Sequence, residues 1–202
     1  MMITELKEVS SSRVKVYVDE QPAFVLYKGE LRKYGLKEGE ELSPKIYEEL
    51  LREVLPKRAK LRLMNLLKSR DYTELQLRQK LRQGFYPETV IDEALSYVAS
   101  FHYIDDLRYA EDFVNCNSSR KSKRRIENDL INKGISKETI QKAWINWEAA
   151  GNAQDEDEQI KELLSKKHFD ASTAEPKELR KMYAFLLRRG FSSDKVQKYL
   201  QK

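Results

Sequence analysis

The chain has 202 residues, of which 40% are hydrophobic and 35% are charged, with only seven glycines and five prolines. This composition favours a helix-rich globular protein with charged outer faces, and the length allows one or two domains. The single cysteine excludes an intrachain disulfide, and with only two histidines it also excludes a structural zinc site of the Cys/His type.

The formal net charge of +5 permits binding to a polyanion without requiring it. Residues 1–56 carry 9 Lys and Arg against 11 Asp and Glu, whereas residues 57–202 carry 29 against 22. No stretch approaches the roughly 18 apolar residues of a membrane span, and the first residues lack the apolar segment of a signal peptide. We therefore expect a cytoplasmic protein without a membrane partner.

The first part of the chain, residues 1–56, predicts a small β-hairpin followed by helices. The three valines of RVKVYV alternate with polar residues, which is typical of a half-buried strand. A turn at DEQP leads into a second strand, Ala23–Tyr27, and ITELKEV predicts a weaker third strand. A short helix ending at Gly35 follows, and the next helix has Ser43 as its N-cap and Pro44 at its first position.

From residue 57 onward the periodicity is helical, and one pattern occurs three times, as KLRQGFYPETVIDEAL, LINKGISKETIQKAW and LLRRGFSSDKVQKYL. In each copy we expect a helix to end at a glycine with a left-handed backbone, namely Gly84, Gly134 and Gly190. The residue after each glycine is expected to pack back onto the helix; these residues are Phe85, Ile135 and Phe191. A further helix precedes each pair, so the repeating unit has three helices.

This pattern divides the chain into an N-terminal region, residues 1–56, and three-helix repeats at residues 57–105, 106–150 and 151–202. The predicted fold class is mainly α. Tandem three-helix repeats, which are helix-turn-helix-like, form an elongated curved array after a small β-hairpin and helix region. We expect a monomer.

The second repeat contains a basic run, SRKSKRR, at the start of its second helix. If Ser122 is the N-cap, then Lys123, Arg124 and Arg125 occupy the first turn. Positive charge there opposes the helix dipole by roughly 0.3–1 kcal/mol per residue when exposed. The run fits either a solvated helix face or a contact with phosphate or an acidic partner, and its unfavourable position favours the contact.

Other conspicuous residues have structural explanations. Asp105 and Asp106 could serve catalysis or a metal, but they fit better as caps of the helix that follows them. Trp144 and Trp147 suit packing better than base stacking. The acidic helix PETVIDEAL disfavours a groove-reading helix-turn-helix, because phosphates would repel it. We predict no catalytic residues and no metal site.

Two stretches, FHYIDDLRYAEDFV and KSKRRIENDLINKGIS, together with the tandem repeat, resemble the RecX family of recombinase regulators. They match the family's Tyr-x-Asp-Asp…Tyr-Ala…Phe-Val joint and its Arg-Ile…Leu…Lys-Gly-Ile-Ser stretch. The matching residues are Tyr103, Asp105, Asp106, Tyr109, Ala110, Phe113, Val114, Arg125, Ile126, Leu130, Lys133, Gly134, Ile135 and Ser136. The chain departs from the family in a shorter helix before Gly84 and in a longer loop inside the third repeat.

The resemblance implies a protein that binds the RecA filament on single-stranded DNA and restrains its growth, its ATPase and strand exchange, in the regulation of recombination and DNA repair. It implies no enzymatic activity and no cofactor. The expected partners are the RecA filament, single-stranded DNA and, more weakly, duplex DNA. The candidate contacts are the basic residues Arg120, Lys121, Lys123, Arg124, Arg125, Lys133, Lys57, Arg58, Arg62, Arg188 and Arg189.

The expected structural residues are Tyr103, Asp105, Asp106, Tyr109, Phe113, Gly84, Gly134 and Gly190. Tyr103, Tyr109 and Phe113 are expected to fill the joint between the first two repeats. Two alternatives remain open for the function. One is a stand-alone DNA-binding or architectural protein, and the other is a helical adaptor without nucleic-acid contact.

Overall fold

In the computed structural model, which describes residues 1–200, the chain begins with a three-stranded antiparallel sheet in the order β1-β2-β3. Its strands are β1 (Ile3–Ser10), β2 (Arg13–Val18) and β3 (Gln21–Tyr27). Asp19 and Glu20 form the tight turn between β2 and β3 with left-handed φ angles of 48° and 64°. The alternating valines of β2 point into the core, so both predicted strands and the weaker third strand are confirmed.

The helices after the sheet begin with α1 (Lys28–Tyr34), which ends at the left-handed Gly35 as predicted. Ser43 is the N-cap and Pro44 the first residue of α2 (Pro44–Glu49). A π-helical turn, Leu50–Val54, joins α2 directly to α3 (Leu55–Leu67). Pro56 lies just after this turn, and because proline lacks an N–H and crowds the preceding turn, a π-turn relieves the mismatch.

The chain divides into two compact units, Met1–Asp105 and Asp106–Lys202, which we call unit one and unit two. In unit one, α4 (Glu74–Arg82) and α5 (Glu88–Ser100) complete the first three-helix repeat. The sheet and all five helices share one hydrophobic core. The predicted boundary between residues 56 and 57 lies inside a continuous helical run, and the four-segment division stays a prediction.

The turn of the first repeat differs from the expected one. The left-handed residue is Phe85, with φ 59°, and the Tyr86 N–H donates to the Leu81 carbonyl at 3.3 Å. The motif is therefore shifted by one residue, so that Tyr86 packs against the core and Phe85 is exposed. The expectations for the backbone of Gly84 and the packing of Phe85 were wrong. A glycine is needed at 84 because a Cβ there would lie 2.8 Å from the Tyr86 ring.

Unit two contains the other two repeats. The second consists of α6 (Asp106–Asn117), α7 (Lys123–Asn132) and α8 (Lys137–Ala149). The third consists of α9 (Glu156–Lys166), α10 (Pro176–Arg188) and α11 (Ser193–Leu200). Gly134 and Gly190 have left-handed φ angles of 89° and 95°, and the residues that follow them are buried, as predicted.

Each repeat of unit two has its own hydrophobic cluster. Trp144 and Trp147 are 3% and 9% exposed and pack edge to face, so both belong to the core of the second repeat. Tyr109 and Phe113 stack against each other at its edge. Within residues 1–200, no helix has the length and apolarity that crossing a membrane requires.

Candidate polyanion-binding surface

The turn between α10 and α11 packs against the start of α7. The Ser122 N–H donates to the Arg189 carbonyl at 3.1 Å, and the Ser122 side chain is fully buried. A Cβ at Gly190 would collide with the Ser122 Oγ and the Arg125 Cβ, so only glycine allows this approach. The seam therefore brings Arg188 and Arg189 beside the predicted basic run.

Ser122 is the N-cap of α7, as predicted, and its Oγ accepts the Arg125 N–H at 3.3 Å. The carbonyl end of α10 meets this helix start, because the Arg189 carbonyl accepts the Ser122 N–H. The negative end of the α10 dipole thus lies close to the first-turn cations of α7 and offsets part of their unfavourable interaction with their own helix.

Three cations of the basic run have acidic partners in the same unit. Asp129 pairs with Lys121 at 2.8 Å and with Arg125 at 3.1 Å. Lys123 pairs with Glu148 at 3.3 Å and lies over the Trp144 ring. The unfavourable position of Lys123 and Arg125 in the first helical turn is therefore offset by acidic side chains of the same unit.

Arg120 and Arg124 are exposed, and neither forms an ion pair within the described part of the chain. The Arg120 carbonyl instead accepts a hydrogen bond from Arg189 Nη1 at 3.2 Å. The two residues flank Ser122 on either side, so the buried N-cap fixes the backbone from which both guanidinium groups project. They are the members of the basic run that remain available to an anion.

Lys133 has a structural environment that the sequence did not reveal. Its side chain is half-buried, and its Nζ lies 5.8 Å from the centroid of the Tyr109 ring and 5.4 Å from that of Phe113. A lysine held over two aromatic rings stabilises α7 against α6 through cation–π contact. Lys133 is therefore a poor candidate for a polyanion contact.

A second set of cations lies on the outer face of α10. Lys177, Arg180, Lys181 and Arg188 surround Ala184 along a shallow cleft of about 500 Å³, at the spacing that puts residues on one helix face. None of the four forms an ion pair among residues 1–200. The row ends at Arg188, next to the Arg189 carbonyl that holds Ser122.

The sequence of α10 contains a pattern that indicates this row of cations, although the row was not predicted. The only acidic residue of α10 is Glu178, and it accepts the Glu175 N–H at 3.1 Å in the helix cap. Neighbouring helices pair their exposed lysines instead, as in Lys142–Glu138 and Lys166–Glu162, both at 2.8 Å. Apart from Glu178, which takes part in the helix cap, no acid lies one turn away from these cations, and this pattern could have identified the face.

We use the name basic surface for six cations of unit two that form no ion pair among residues 1–200; they are Arg120, Arg124, Lys177, Arg180, Lys181 and Arg188. Arg189 does not belong to it, because its guanidinium stacks on Phe185 at 5.1 Å and donates to the Arg120 carbonyl. Residues 106–202 carry 20 Lys and Arg against 16 Asp and Glu, so the unit as a whole is also basic. The surface suits a phosphate backbone or an extended acidic partner.

The candidate contacts in unit one have different roles. Arg58 donates to Glu30 Oε2 at 2.8 Å, to the Val25 carbonyl and to Tyr86 Oη, and its side chain is only 17% exposed. Arg58 therefore fastens α3 to the sheet and to α1, which makes it a poorer candidate than an unpaired cation, and its role as a contact stays a prediction. Lys57 is 79% exposed and pairs with Glu53 at 3.6 Å. Arg62 lines a cleft, described below.

The residues predicted to fill the joint between the first two repeats differ in how deeply they are buried. Tyr103 is 46% exposed and stacks on the exposed Phe101, and its place in the joint between the first two repeats stays a prediction. Tyr109 and Phe113 do pack against the core of the second repeat. Asp106 is the first residue of α6, where a carboxylate suits the positive end of the helix. No acidic, His and Cys cluster suited to a metal ion occurs among the described residues.

Comparison with known proteins finds the same three-helix units. Family models described as RecX, first, second and third three-helix domain, match residues 59–97, 105–143 and 154–200. The Regulatory protein RecX of Caldanaerobacter subterraneus subsp. tengcongensis is 30% identical, covering 99% of this chain and 98% of that protein. The Regulatory protein RecX of Clostridium acetobutylicum is 26% identical, covering 98% and 93%.

Solved structures agree on the fold. A crystal structure of regulatory protein RecX matches with a TM-score of 0.57 at 24% identity, covering 99% of this chain and 98% of that chain. The crystal structure of RecX from Lactobacillus salivarius matches with a TM-score of 0.52 at 22% identity, covering 73% and 96%. The N-terminal sheet and the three repeats thus belong to one recurring chain architecture.

Proposed function

Because the chain belongs to the RecX family of regulatory proteins, we propose that it regulates the RecA recombinase by binding the RecA filament on single-stranded DNA. Binding restrains filament growth, the filament's ATPase and strand exchange. The protein acts as a cytoplasmic monomer in the control of recombination and DNA repair, by occupying the filament and without a catalytic step of its own.

The basic surface of unit two is the observation that carries this proposal. Its six cations have no acidic partner within residues 1–200, so they enter a complex without first breaking an ion pair. Contact with DNA phosphates releases condensed counterions, which favours binding at low salt. The seam at Gly190 supports the surface, because it fixes the start of α7 against the end of α10.

The proposal revises which predicted contacts carry the interaction. Arg120, Arg124 and Arg188 remain from the sequence-based set, and the α10 residues Lys177, Arg180 and Lys181 join them. Lys121, Lys123 and Arg125 supply charge to the surroundings, but each is compensated by Asp129 or Glu148. The proposal therefore depends on the unpaired cations and not on the length of the basic run.

The RecA ATPase on single-stranded DNA tests the proposal directly. We expect substoichiometric amounts of the protein to lower the steady-state ATPase rate, and the inhibition to weaken as the salt concentration rises. An ATPase rate that is unchanged at every salt and protein concentration would exclude the proposed function.

A stand-alone DNA-binding protein is the second candidate, since the same six cations suit free DNA. Such a protein should bind a labelled single-stranded oligonucleotide without RecA. If all six cations contact phosphates, the plot of log K against log salt should have a slope of about −4, from about −0.7 per contact. Binding that requires RecA at every salt concentration would reject this alternative.

A further inference from the structure

Unit one contains a cleft of about 400 Å³ that the proposed function does not use. Its lining includes Leu61, Arg62, Asn65 and Leu66 from α3, with Tyr27 and Tyr86 at its sides. The cleft combines aliphatic and aromatic side chains with a single uncompensated charge. This combination is typical of a pocket that recognises one short segment of a partner.

Arg58 makes one wall of the cleft rigid. Its guanidinium lies 4.9 Å from the centroid of the Tyr27 ring and 5.3 Å from that of Tyr86. Glu30 neutralises its charge at 2.8 Å. The wall therefore has fixed geometry and no net charge, and it is already in place before any partner binds.

Arg62 is the polar group that lacks a partner. It lies one turn after Arg58 on α3, and its Nε is buried without a hydrogen-bond acceptor in the part of the chain that the structure covers. Its guanidinium also has no ion pair among residues 1–200. A buried donor of this kind gains most from an acceptor that a ligand supplies, and a carboxylate meets a guanidinium with matching geometry.

The apolar side chains around Arg62 are unusually open. Leu61 is 61% exposed and Tyr27 is 44% exposed, although both border the same cleft. Covering them with an apolar side chain removes hydrophobic surface from water. A ligand that brings an acid and an apolar side chain together satisfies both features of the cleft.

We propose that this cleft binds a short acidic and apolar segment of a protein partner. A carboxylate of the segment pairs with Arg62, and a neighbouring aliphatic or aromatic side chain packs on Leu61 and Tyr27. The inference deepens the proposed function and rests on it for the identity of the partner, since it assigns protein recognition to unit one and polyanion contact to unit two.

The charges along the helical run of α2 and α3 favour a protein over a nucleic acid. The exposed cations Arg52 and Lys57 each pair with a glutamate one turn earlier. The run thus presents one uncompensated cation in the cleft, whereas a nucleic-acid strand needs a row of them to match its repeating phosphates. Residues 1–105 as a whole carry 18 Lys and Arg against 17 Asp and Glu.

Side-chain NMR of the full-length ¹⁵N-labelled protein tests the inference without RecA or ATP. The probe is the peptide acetyl-Glu-Leu-Phe-Glu-amide, and its control is the same peptide with Gln in place of Glu. We expect the acidic peptide to shift the Arg62 Nε–Hε signal saturably. The Gln peptide should bind about tenfold more weakly or worse, because it loses a charge-assisted hydrogen bond.

Two variants report on the cleft and one serves as a control. Arg62→Gln should abolish the binding of the acidic peptide, and Leu61→Asp should do the same at a position exposed enough to leave folding intact. Arg52→Gln, at a 78% exposed arginine of the same helical run, should bind like the wild type. Thermal unfolding of each variant separates lost binding from lost folding.

Three outcomes overturn the inference. They are the absence of any Arg62 shift, equal binding of the Glu and Gln peptides, and a larger Arg62 shift with a single-stranded oligothymidylate than with the acidic peptide. The last outcome identifies the cleft as a nucleic-acid site. The ATPase assay is independent of the peptide assay. Peptide binding without ATPase inhibition would reject the proposed function and leave the inference about the cleft standing. ATPase inhibition without peptide binding would reject only the inference about the cleft.

Discussion

Among single residues, Gly190 has a tightly constrained position in unit two. It has a left-handed φ of 95°, and a Cβ would collide with Ser122 and Arg125. We expect Gly190→Ala to lower the free energy of unfolding of unit two by roughly 2–4 kcal/mol, from backbone strain and overpacking together. Urea unfolding followed by the fluorescence of Trp144 and Trp147 measures this, because both tryptophans are in the core of this unit.

Gly151→Ala is the matched control for this prediction. Gly151 is also left-handed, with φ 84°, but nothing lies within 4 Å of its missing Cβ. The control should therefore lose only the strain contribution, roughly 1–2 kcal/mol. Equal losses at the two glycines would contradict the close seam between the α10–α11 turn and α7.

Arg58 and Lys57 are adjacent cations whose replacement is expected to change stability by very different amounts. Arg58→Ala removes the hydrogen bonds to the sheet and leaves Glu30 without its cation, so we expect a loss of roughly 2–3 kcal/mol in the stability of unit one. Lys57→Ala removes only an exposed helix pair, and its effect should stay within about 0.5 kcal/mol. Chemical unfolding monitored by far-UV circular dichroism compares the two variants; similar losses would show that Arg58 is an ordinary surface residue.

The structural role of a single residue can be predicted from the sequence only when that role depends on its neighbours in the chain. Ser122 and Gly190 could be identified because N-caps and left-handed helix ends follow from a few neighbouring residues. The pairing of Lys123 with Glu148 could not, since the two are 25 positions apart in the chain. The hydrogen bonds of Arg58 could not be predicted for the same reason: its partners belong to β3, to α1 and to the turn after α4.

At the scale of the helices and strands, the periodicity of the sequence predicts most of the elements but not the details of their turns. It predicted the strands and the repeating helix–turn–helix pairs. It missed the π-turn before Pro56 and the one-residue shift at Gly84, because both depend on how neighbouring turns accommodate a ring. It also missed the basic face of α10, which becomes apparent only when the ion pairs of all helices are compared.

The contact between α9 and α11 leads to a prediction on pH. Tyr199 Oη and Lys198 Nζ both donate to Asp157, and these hydrogen bonds, the tyrosine's first, lower the pKa of Asp157 below its usual range. Because the folded-state pKa lies below the unfolded value of about 3.9, Asp157 stabilises the fold above that pH. This stabilisation disappears as the pH falls through the folded-state pKa.

The variant Asp157→Asn tests this contact. We expect it to be less stable than the wild type near neutral pH, and the difference should vanish at a pH below the folded-state pKa, where the wild-type carboxylate is protonated in both states. Thermal unfolding by circular dichroism at the two pH values gives the comparison. A difference in Tm that is the same at both pH values would mean that the charge of Asp157 does not tie α9 to α11.

At the scale of the whole molecule, the two units carry different kinds of surface. Unit two is the more basic one and carries the basic surface, whose six cations have no acidic partner in the described chain, whereas unit one is nearly neutral and has the apolar cleft with Arg62. Family membership could be predicted from the sequence because the repeat turns are local motifs. The difference between the units could not, because it depends on which charges are already paired.

The most direct test of the central claim, that the basic surface binds the RecA filament, is the ATPase assay with a charge-reversed protein. The variant combines Arg124→Glu with Arg188→Glu, and Arg52→Glu is the control at an exposed arginine outside the surface. We expect the double variant to need about tenfold more protein or worse for half-maximal inhibition, with a weaker salt dependence, and the control to match the wild type. Equal inhibition by the double variant and the wild type would contradict the claim.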